Sequence, residues 1–162
     1  MGRAYIISAG GITLANQAVT LVFLNPGTTC SLEILRCWVS QSGTATGAQQ
    51  RVQIVTQVSA FPTLTSTTPR KKDLLEQASQ IIGGIAGAAG TCGTNASAEG
   101  AGAKTVLLED AFNNLNGFLW TPTTEDEIWR MNAGAASGFG LHLPIAPGTL
   151  TNWSFGIVFR ER

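Results

Sequence analysis

Few residues in this chain could perform acid–base or metal chemistry. The chain has a single histidine, His142, which alternates with Leu141 and Leu143 in a strand-like run. A general base needs a titratable partner within hydrogen-bond reach, and the metal sites of barrel-type oxygenases use several histidines with a carboxylate. One histidine cannot supply that set. The sequence therefore predicts that His142 is a surface or interface side chain and that the protein is not an enzyme.

The acidic run Glu-Asp-Glu at 125–127 is the best candidate for a cation site. Three consecutive carboxylates lack the alternating spacing of a calcium-binding loop, so the run is typical of a solvated turn. The chain also contains no Gly-Lys-Ser/Thr phosphate loop and no Gly-x-Ser-x-Gly nucleophile elbow. Neither a metal nor a cofactor is expected.

The three cysteines, Cys30, Cys37 and Cys92, do not match the spacing of a zinc site or of a disulfide framework. Cys30 and Cys37 are seven residues apart, which places their side chains on opposite faces of an extended strand. We expect buried free thiols, because an unpaired cysteine behaves as a small hydrophobe.

Aromatic side chains could stack on sugars or bases. Trp120 and Phe61 adjoin prolines and are the candidates for exposed contacts. Because the aromatic residues do not interleave with a basic patch, no nucleic-acid binding is expected. The tryptophans within predicted strands are expected to fill the core, namely Trp38, Trp129 and Trp153.

The charge composition points to protein partners. The formal net charge is zero, and charged residues make up only 12% of the chain. The basic triplet Arg70, Lys71 and Lys72 could meet an acidic surface, but a lone run of three is typical of a solvated loop end. No apolar stretch approaches the roughly 20 residues that cross a bilayer, and no signal peptide or membrane association is expected. A neutral surface of small residues favours packing against other subunits.

Short strands separated by Gly, Pro and Asn turns dominate the pattern. The last of them places Trp153, Phe155, Ile157 and Phe159 on one face and is predicted to lie in the core. Eight or so strands at regular spacing predict an all-β, antiparallel two-sheet sandwich or barrel in a single domain, residues 1–162. The predicted strands are 3–8, 18–24, 30–41, 51–58, 104–109, 118–120, 128–131, 138–143 and 153–159.

Three segments do not follow this pattern. Residues 69–78 combine good helix formers with Pro69 at a suitable first position, and they predict the one short helix. Residues 61–68 are rich in Pro and Thr and are not expected to hold a regular ladder. Residues 81–102 are mostly Gly, Ala, Ser and Thr with almost no charge. The pair at 81–82 is compatible with the start of a strand, but the conformational entropy of so many glycines favours a long loop.

The stretch 112–131 carries the densest structural signals. Asn116 and Gly117 predict a turn with positive φ that leads into the strand 118–120. The acidic run then separates this strand from 128–131. The simplest arrangement is two antiparallel strands joined by a solvated loop.

Short motifs along the chain carry a family resemblance. They are Met-Gly-Arg-x-Tyr at 1–5, Ser-Gln-Ser at 40–42, Phe-Asn at 112–113, Asn-Gly-Phe at 116–118, Thr-Pro-Thr-x-Glu-Asp at 121–126 and Ser-Phe-Gly-Ile-Val-Phe-Arg-Glu at 154–161. Together they resemble a family of small jelly-roll proteins of bacteriophage virions that decorate capsids. The resemblance spans most of the chain except 81–102.

The resemblance selects the jelly roll among two-sheet folds and implies a role. The protein would be a non-enzymatic head decoration or cement protein on the outer surface of the phage capsid. Its partners would be the major capsid protein and, in a homotrimer, copies of itself. A carbohydrate- or receptor-binding jelly-roll module of a phage tail or fibre is the alternative, which an exposed Trp120 beside the acidic run would favour. The expected contact segments are 1–5, 61–72 and 83–102, and the expected contact residues are Arg3, Tyr5, Phe61, Arg70, Lys71, Lys72 and Trp120.

Overall fold

Strands form where the sequence alternates apolar and polar residues or is rich in β-branched ones. The computed structural model describes residues 3–28, 30–43, 45–84, 89–134 and 136–162. In those ranges the chain contains thirteen strands, a 3-10 helix at Glu125–Glu127 and no α-helix. The strands are β1 (Arg3–Ile12), β2 (Val19–Leu24), β3 (Leu32–Gln41), β4 (Gln49–Val58), β5 (Thr63–Ser66), β6 (Arg70–Lys71), β7 (Ile82–Gly83), β8 (Thr91–Ala98), β9 (Lys104–Asn113), β10 (Phe118–Trp120), β11 (Trp129–Met131), β12 (Ser137–Leu143) and β13 (Trp153–Glu161).

The strands form two sheets that pack face to face. Sheet A has the order β10-β3-β13-β1-β6, and β11 also pairs with β3. Sheet B has the order β5-β8-β2-β12-β4-β9, and β7 pairs with β8. The pairings are antiparallel, except that β7 runs parallel to β8.

Eight of these strands have the connectivity of a jelly roll. In chain order they are β1, β2, β3, β4, β9, β10, β12 and β13. The first pairs with the last, the second with the seventh, the third with the sixth and the fourth with the fifth. Pairings of β3 with β13 and of β4 with β12 complete one four-stranded sheet on each side. This nested pairing is that of a jelly roll, so the predicted all-β two-sheet sandwich is confirmed.

The two sheets bury their facing sides in one hydrophobic cluster. The closing strand β13 places Trp153, Phe155, Ile157 and Phe159 there, each no more than 1% exposed, as its alternation predicts. Tyr5 of β1 packs against Phe159, with ring centroids 5.7 Å apart. Burying one side chain of this size contributes about 1.5–3 kcal/mol, so β13 is a principal element of the core.

The helix predicted for 69–78 is wrong. The segment instead forms β6, which pairs with the edge of β1, and a turn that follows it. The backbone N–H of Ala4 donates a hydrogen bond to Glu76 at 3.2 Å, and the hydroxyl of Tyr5 donates one to the carbonyl of Gln77 at 3.0 Å. A helix this short is marginal without tertiary support, and here the sheet edge provides competing hydrogen bonds.

The prediction for 61–68 is wrong, and so is the long loop favoured for 81–102, because both segments contain strands; β7 lies where the alternative at 81–82 allowed a strand to begin. β5 and β8 pair with each other and extend sheet B beyond β2. At Gly93 of β8 an added Cβ would collide with the carbonyl of Thr65 in β5. The small side chains that suggested a loop instead permit this close approach, and ladder hydrogen bonds offset the entropy cost. Residues 85–88 lie outside the described ranges.

β10 and β11 do not form the predicted hairpin. Both pair antiparallel with β3, β10 with 37–39 and β11 with 32–34. They are therefore two pieces of one interrupted edge strand, and the exposed 3-10 helix lies in the interruption. The turn predicted before β10 is confirmed, because Gly117 has a φ of +75°.

Candidate docking face

An open apolar groove lies on the outer face of sheet A, on the side opposite the core. Strand register explains its composition: Ile6 of β1 lies beside Val158 of β13, and Leu119 of β10 lies beside Trp38 of β3. Cross-strand neighbours share a sheet face, so four neighbouring strands contribute to one surface. The groove has a volume of about 320 Å³ and is lined by Ile6, Arg36, Trp38, Lys72, Leu119 and Val158.

Trp38 lines the groove, and the prediction that it fills the core is wrong. Its indole lies across Gly156 of β13, where an added Cβ would collide with the ring. Its neighbours in the strand, Cys37 and Val39, are fully buried in the core, so alternation points Trp38 outward. Leu119 beside it is 64% exposed. A partner that covered Leu119 and the groove would remove this apolar surface from water, which favours binding.

Three arginines converge on one carboxylate next to the groove. Glu33 of β3 accepts hydrogen bonds from Nε of Arg130 at 3.0 Å and from Nη1 of Arg160 at 3.2 Å, and Nε of Arg162 lies 2.9 Å from it. The Glu33 side chain is only 4% exposed, whereas the three arginine side chains are 33–52% exposed. We call this group the arginine cluster. Each guanidinium has five N–H donors, so most of them can bond to a partner.

The arginine cluster keeps a net positive charge. Burial disfavours the charged form of Glu33, but hydrogen bonds from Arg130 and Arg162 outweigh it and hold the pKa of the carboxyl below its usual value. Glu33 is therefore ionised at neutral pH, one negative charge among three positive ones. With Arg36 and Lys72 of the groove, five of the ten Lys and Arg side chains of the chain gather here. These five side chains supply cationic donors on one surface, and the acidic run 125–127 lies at the edge of the same sheet between β10 and β11.

The groove and the arginine cluster form one continuous surface, which we call the docking face. Val158 of the groove and Arg160 of the cluster are two residues apart on β13, and Arg36 lies opposite Val158 on β3. Two residues of a strand span about 7 Å. The docking face can thus present an apolar pocket and cationic donors to the same partner.

The basic triplet and the N-terminal residues lie in different environments. Arg70 and Lys71 form β6 at the edge of sheet A and are exposed, and Lys72 lines the groove. Arg3 begins β1 and is partly buried. Tyr5 is fully buried in the core. Of these five expected contact residues, the structure places Lys72 on the docking face.

Phe61 and Trp120 are partly buried, not exposed as expected. Phe61 packs on Phe23 with ring centroids 5.7 Å apart, and Trp120 stacks on Trp129 at 4.1 Å. Both rings border the hydrophobic core. Trp129 covers one face of Trp120, so a sugar site beside the acidic run would have at most the other face of this ring for stacking. Residues 1–2 of the expected N-terminal contact segment lie outside the described ranges.

The turn after β6 carries two highly exposed leucines. Leu74 and Leu75 are 87% and 95% exposed. Asp73 holds the turn by accepting a hydrogen bond at Oδ1 from the backbone N–H of Leu75 at 3.0 Å. Lys72 of the groove immediately precedes this turn, so the two leucines are close to the docking face along the chain.

His142 is buried, so the prediction of a surface side chain is wrong. Its Nδ1 lies 3.3 Å from both the Glu99 carboxylate and the Thr20 hydroxyl, and Nζ of Lys104 lies 3.2 Å from the same carboxylate. Burial lowers the pKa of His142, Glu99 opposes this shift, and Lys104 reinforces it. Thr20 donates its hydroxyl proton to Glu99 and is fully buried, so it offers no accessible nucleophile. The network fixes the segment between β8 and β9 to sheet B.

The cysteines are buried and unpaired, as predicted. Burial raises the pKa of Cys92 to about 12 and raises that of Cys37 as well, so neither is a thiolate at neutral pH. Within the described ranges, no three His, Cys, Asp or Glu side chains are grouped as metal ligands. The same ranges contain no helix long and apolar enough to cross a membrane.

Comparison with known protein families, curated proteins and solved structures finds no match to this chain.

Proposed function

We propose that this protein is a non-enzymatic structural protein of a bacteriophage virion. It decorates and stabilises the outer surface of the capsid. Its partners are the major capsid protein and, in a homotrimer, copies of itself. The motifs that resemble small jelly-roll virion proteins support this proposal, and so does the jelly-roll connectivity.

The docking face is the observation that carries the proposal. Protein interfaces have an apolar centre in which aromatic residues and Arg are enriched, and Trp and Arg are frequent among residues that dominate binding energy. The docking face combines the partly exposed Trp38 and the exposed Leu119 with the arginine cluster. Such a surface is suited to holding another protein.

The rigidity of the docking face suits a cement protein. β10, β3, β13 and β1 are hydrogen-bonded neighbours, so little backbone has to become ordered on binding. A protein that binds the assembled shell and not its free subunits stabilises the shell by mass action. Decoration would therefore make the capsid harder to disassemble without any chemical reaction.

Co-sedimentation with empty capsids of the cognate phage tests the proposal. We expect the wild-type chain to bind, and we expect Leu119→Asp to bind at least about tenfold more weakly, as for a central interface residue. Leu107→Asp in β9 is the matched control, because Leu107 is also an exposed leucine within a strand, at 39%, and should bind normally. Absence of wild-type binding would refute the capsid role. Light scattering of the free protein tests the trimer separately, since a monomer both free and on capsids would refute it.

A glycan-binding tail or fibre module is the second candidate. The observation that favours it is Trp38 in a groove of about 320 Å³, a size that accepts a sugar ring. The charged groups in the groove are Arg36 and Lys72, so an anionic sugar fits better than a neutral one. Binding to host cells that is competed by acidic glycans, with no binding to capsids, would establish this function in place of decoration.

A further inference from the structure

We propose that the docking face binds an extended segment of a partner protein in which a carboxylate lies two residues from a bulky apolar side chain. This inference rests on the proposed function and specifies the partner chemistry at the same site. The apolar side chain enters the groove, and the carboxylate bonds to the arginine cluster.

The apolar half of this recognition comes from the groove. Ile6, Trp38, Leu119 and Val158 provide its apolar lining. At about 320 Å³ the groove lies near the lower limit of ligand pockets, which suits one large side chain. Its outer wall is Leu119, which is 64% exposed and loses water contact when the groove is filled.

The anionic half comes from the arginine cluster. Glu33 holds Arg130, Arg160 and Arg162 through one nitrogen each. The remaining N–H donors of these half-exposed guanidiniums match a carboxylate, which accepts paired hydrogen bonds from arginine. Because Glu33 fixes their positions in advance, binding costs less side-chain entropy than it would for free arginines.

The spacing between the two halves sets the partner sequence. Val158 and Arg160 are two residues apart on β13, about 7 Å in a strand. In an extended partner, residues two apart point to the same side at the same spacing. A small inorganic anion could fill the arginine cluster but not the groove, so a polypeptide fits this face better.

A second copy of this chain fits less well than another protein. Two docking faces placed together would bring five cations against five. The chain has an exposed Leu-x-Glu sequence at 74–76 and another at 107–109, but both glutamates are already bonded, Glu76 to the N–H of Ala4 and Glu109 to Arg51. The partner segment is therefore expected on a different protein.

Peptide titrations of the full ¹⁵N-labelled chain test this inference through the indole N–H signal of Trp38, assigned with Trp38→Phe. The probe is a capped heptapeptide with Leu two positions before Glu. We expect it to shift this signal, and we expect about tenfold weaker binding for a peptide with Gln in place of Glu and for one with Leu and Glu adjacent. Arg130→Gln should weaken binding by a similar factor. Arg51→Gln is the matched control, because Arg51 is also ion-paired and equally exposed, at 49%.

Four outcomes would overturn the inference. They are equal binding of all three peptides, equal losses in the two arginine variants, the same Trp38 shift with sodium phosphate alone, and no shift at millimolar peptide. Capsid binding without peptide binding would overturn this inference and leave the proposed function standing. Peptide binding without capsid binding would overturn the proposed function and leave this inference standing.

Discussion

Glu33 provides a sharp test of the electrostatics of the docking face. Replacing it in Glu33→Gln removes the negative charge that three arginines share and keeps the shape of the side chain. Arg130, Arg160 and Arg162 then repel one another at close range. We expect the variant to fold but to be less stable, because the carboxylate lies in a buried position between guanidiniums that remain charged.

The expected loss follows from the exposure of the groups. Removing one partner of a fully buried ion pair costs about 3–5 kcal/mol. The arginines here are 33–52% exposed, so water screens part of the repulsion, and about 2 kcal/mol remains. For a domain of this size that corresponds to a fall of roughly 4–8 °C in Tm.

Urea unfolding and thermal melts at low and high salt provide the measurement. The control is Glu109→Gln, which removes the partner of Arg51 from an exposed pair on sheet B and should change stability much less. Salt should narrow the gap between Glu33→Gln and wild type, since it screens repulsion between exposed arginines. If Glu33→Gln were as stable as the control, or if its loss of stability did not depend on salt, Glu33 would not be holding three mutually repelling arginines together.

Three further predictions concern the core and sheet B. The neutral form of His142 should stabilise the fold above its ordinary pKa of 6.5, and this stabilisation should be lost as pH falls through the lowered pKa of the folded state. In urea unfolding between pH 7.5 and pH 5, the free energy of unfolding should therefore fall more for wild type than for His142→Gln. Equal falls in the two proteins would contradict this prediction. Gly102→Ala should lower the free energy of unfolding in urea by about 1–3 kcal/mol, because an added Cβ would collide with the carbonyls of Val58 and Ser59. Gly148→Ala is the control, since its Cβ would enter open space and should leave stability nearly unchanged. The three buried cysteines should react with a thiol-specific reagent only after denaturation, and rapid labelling of the native protein would show that their burial is incomplete.

The strands with one buried face could be predicted from the sequence. In β13 the side chains at 153, 155, 157 and 159 alternate without interruption, and all are buried. Sheet order could not be derived from such alternation, because each strand shows only which side faces the core. The jelly-roll expectation therefore came from the family resemblance, and the nested strand pairing confirms it.

The position of Trp38 shows how one extra residue in a strand changes which side chains face the core. In β3, Arg36 pairs with Val158 and Ile34 pairs with Phe159, so Leu35 is the additional residue of a bulge. An uninterrupted strand would place Trp38, four residues after Ile34, on the same core face. The bulge reverses the faces that follow it and places Trp38 outside. A bulge depends on the partner strand and leaves little sign in the strand that contains it.

The docking face and the His142 network depend on contacts between distant segments. Glu33 meets Arg130 and Arg160 because β3 lies between β11 and β13, an order that is set by the whole fold. His142 is buried because Glu99, from the segment between β8 and β9, lies against it. That segment is a loop, as expected, but its sequence carries no pattern that indicates a contact with β12.

The Lys and Arg side chains are distributed unevenly over the molecule. At pH 6.6, where its formal charges cancel, five of the ten Lys and Arg side chains still lie on the docking face. We therefore expect the protein to be retained on a cation-exchange column at its own isoelectric point. Near a negatively charged particle it would rotate to approach with sheet A in front, so that encounters are oriented before any contact forms.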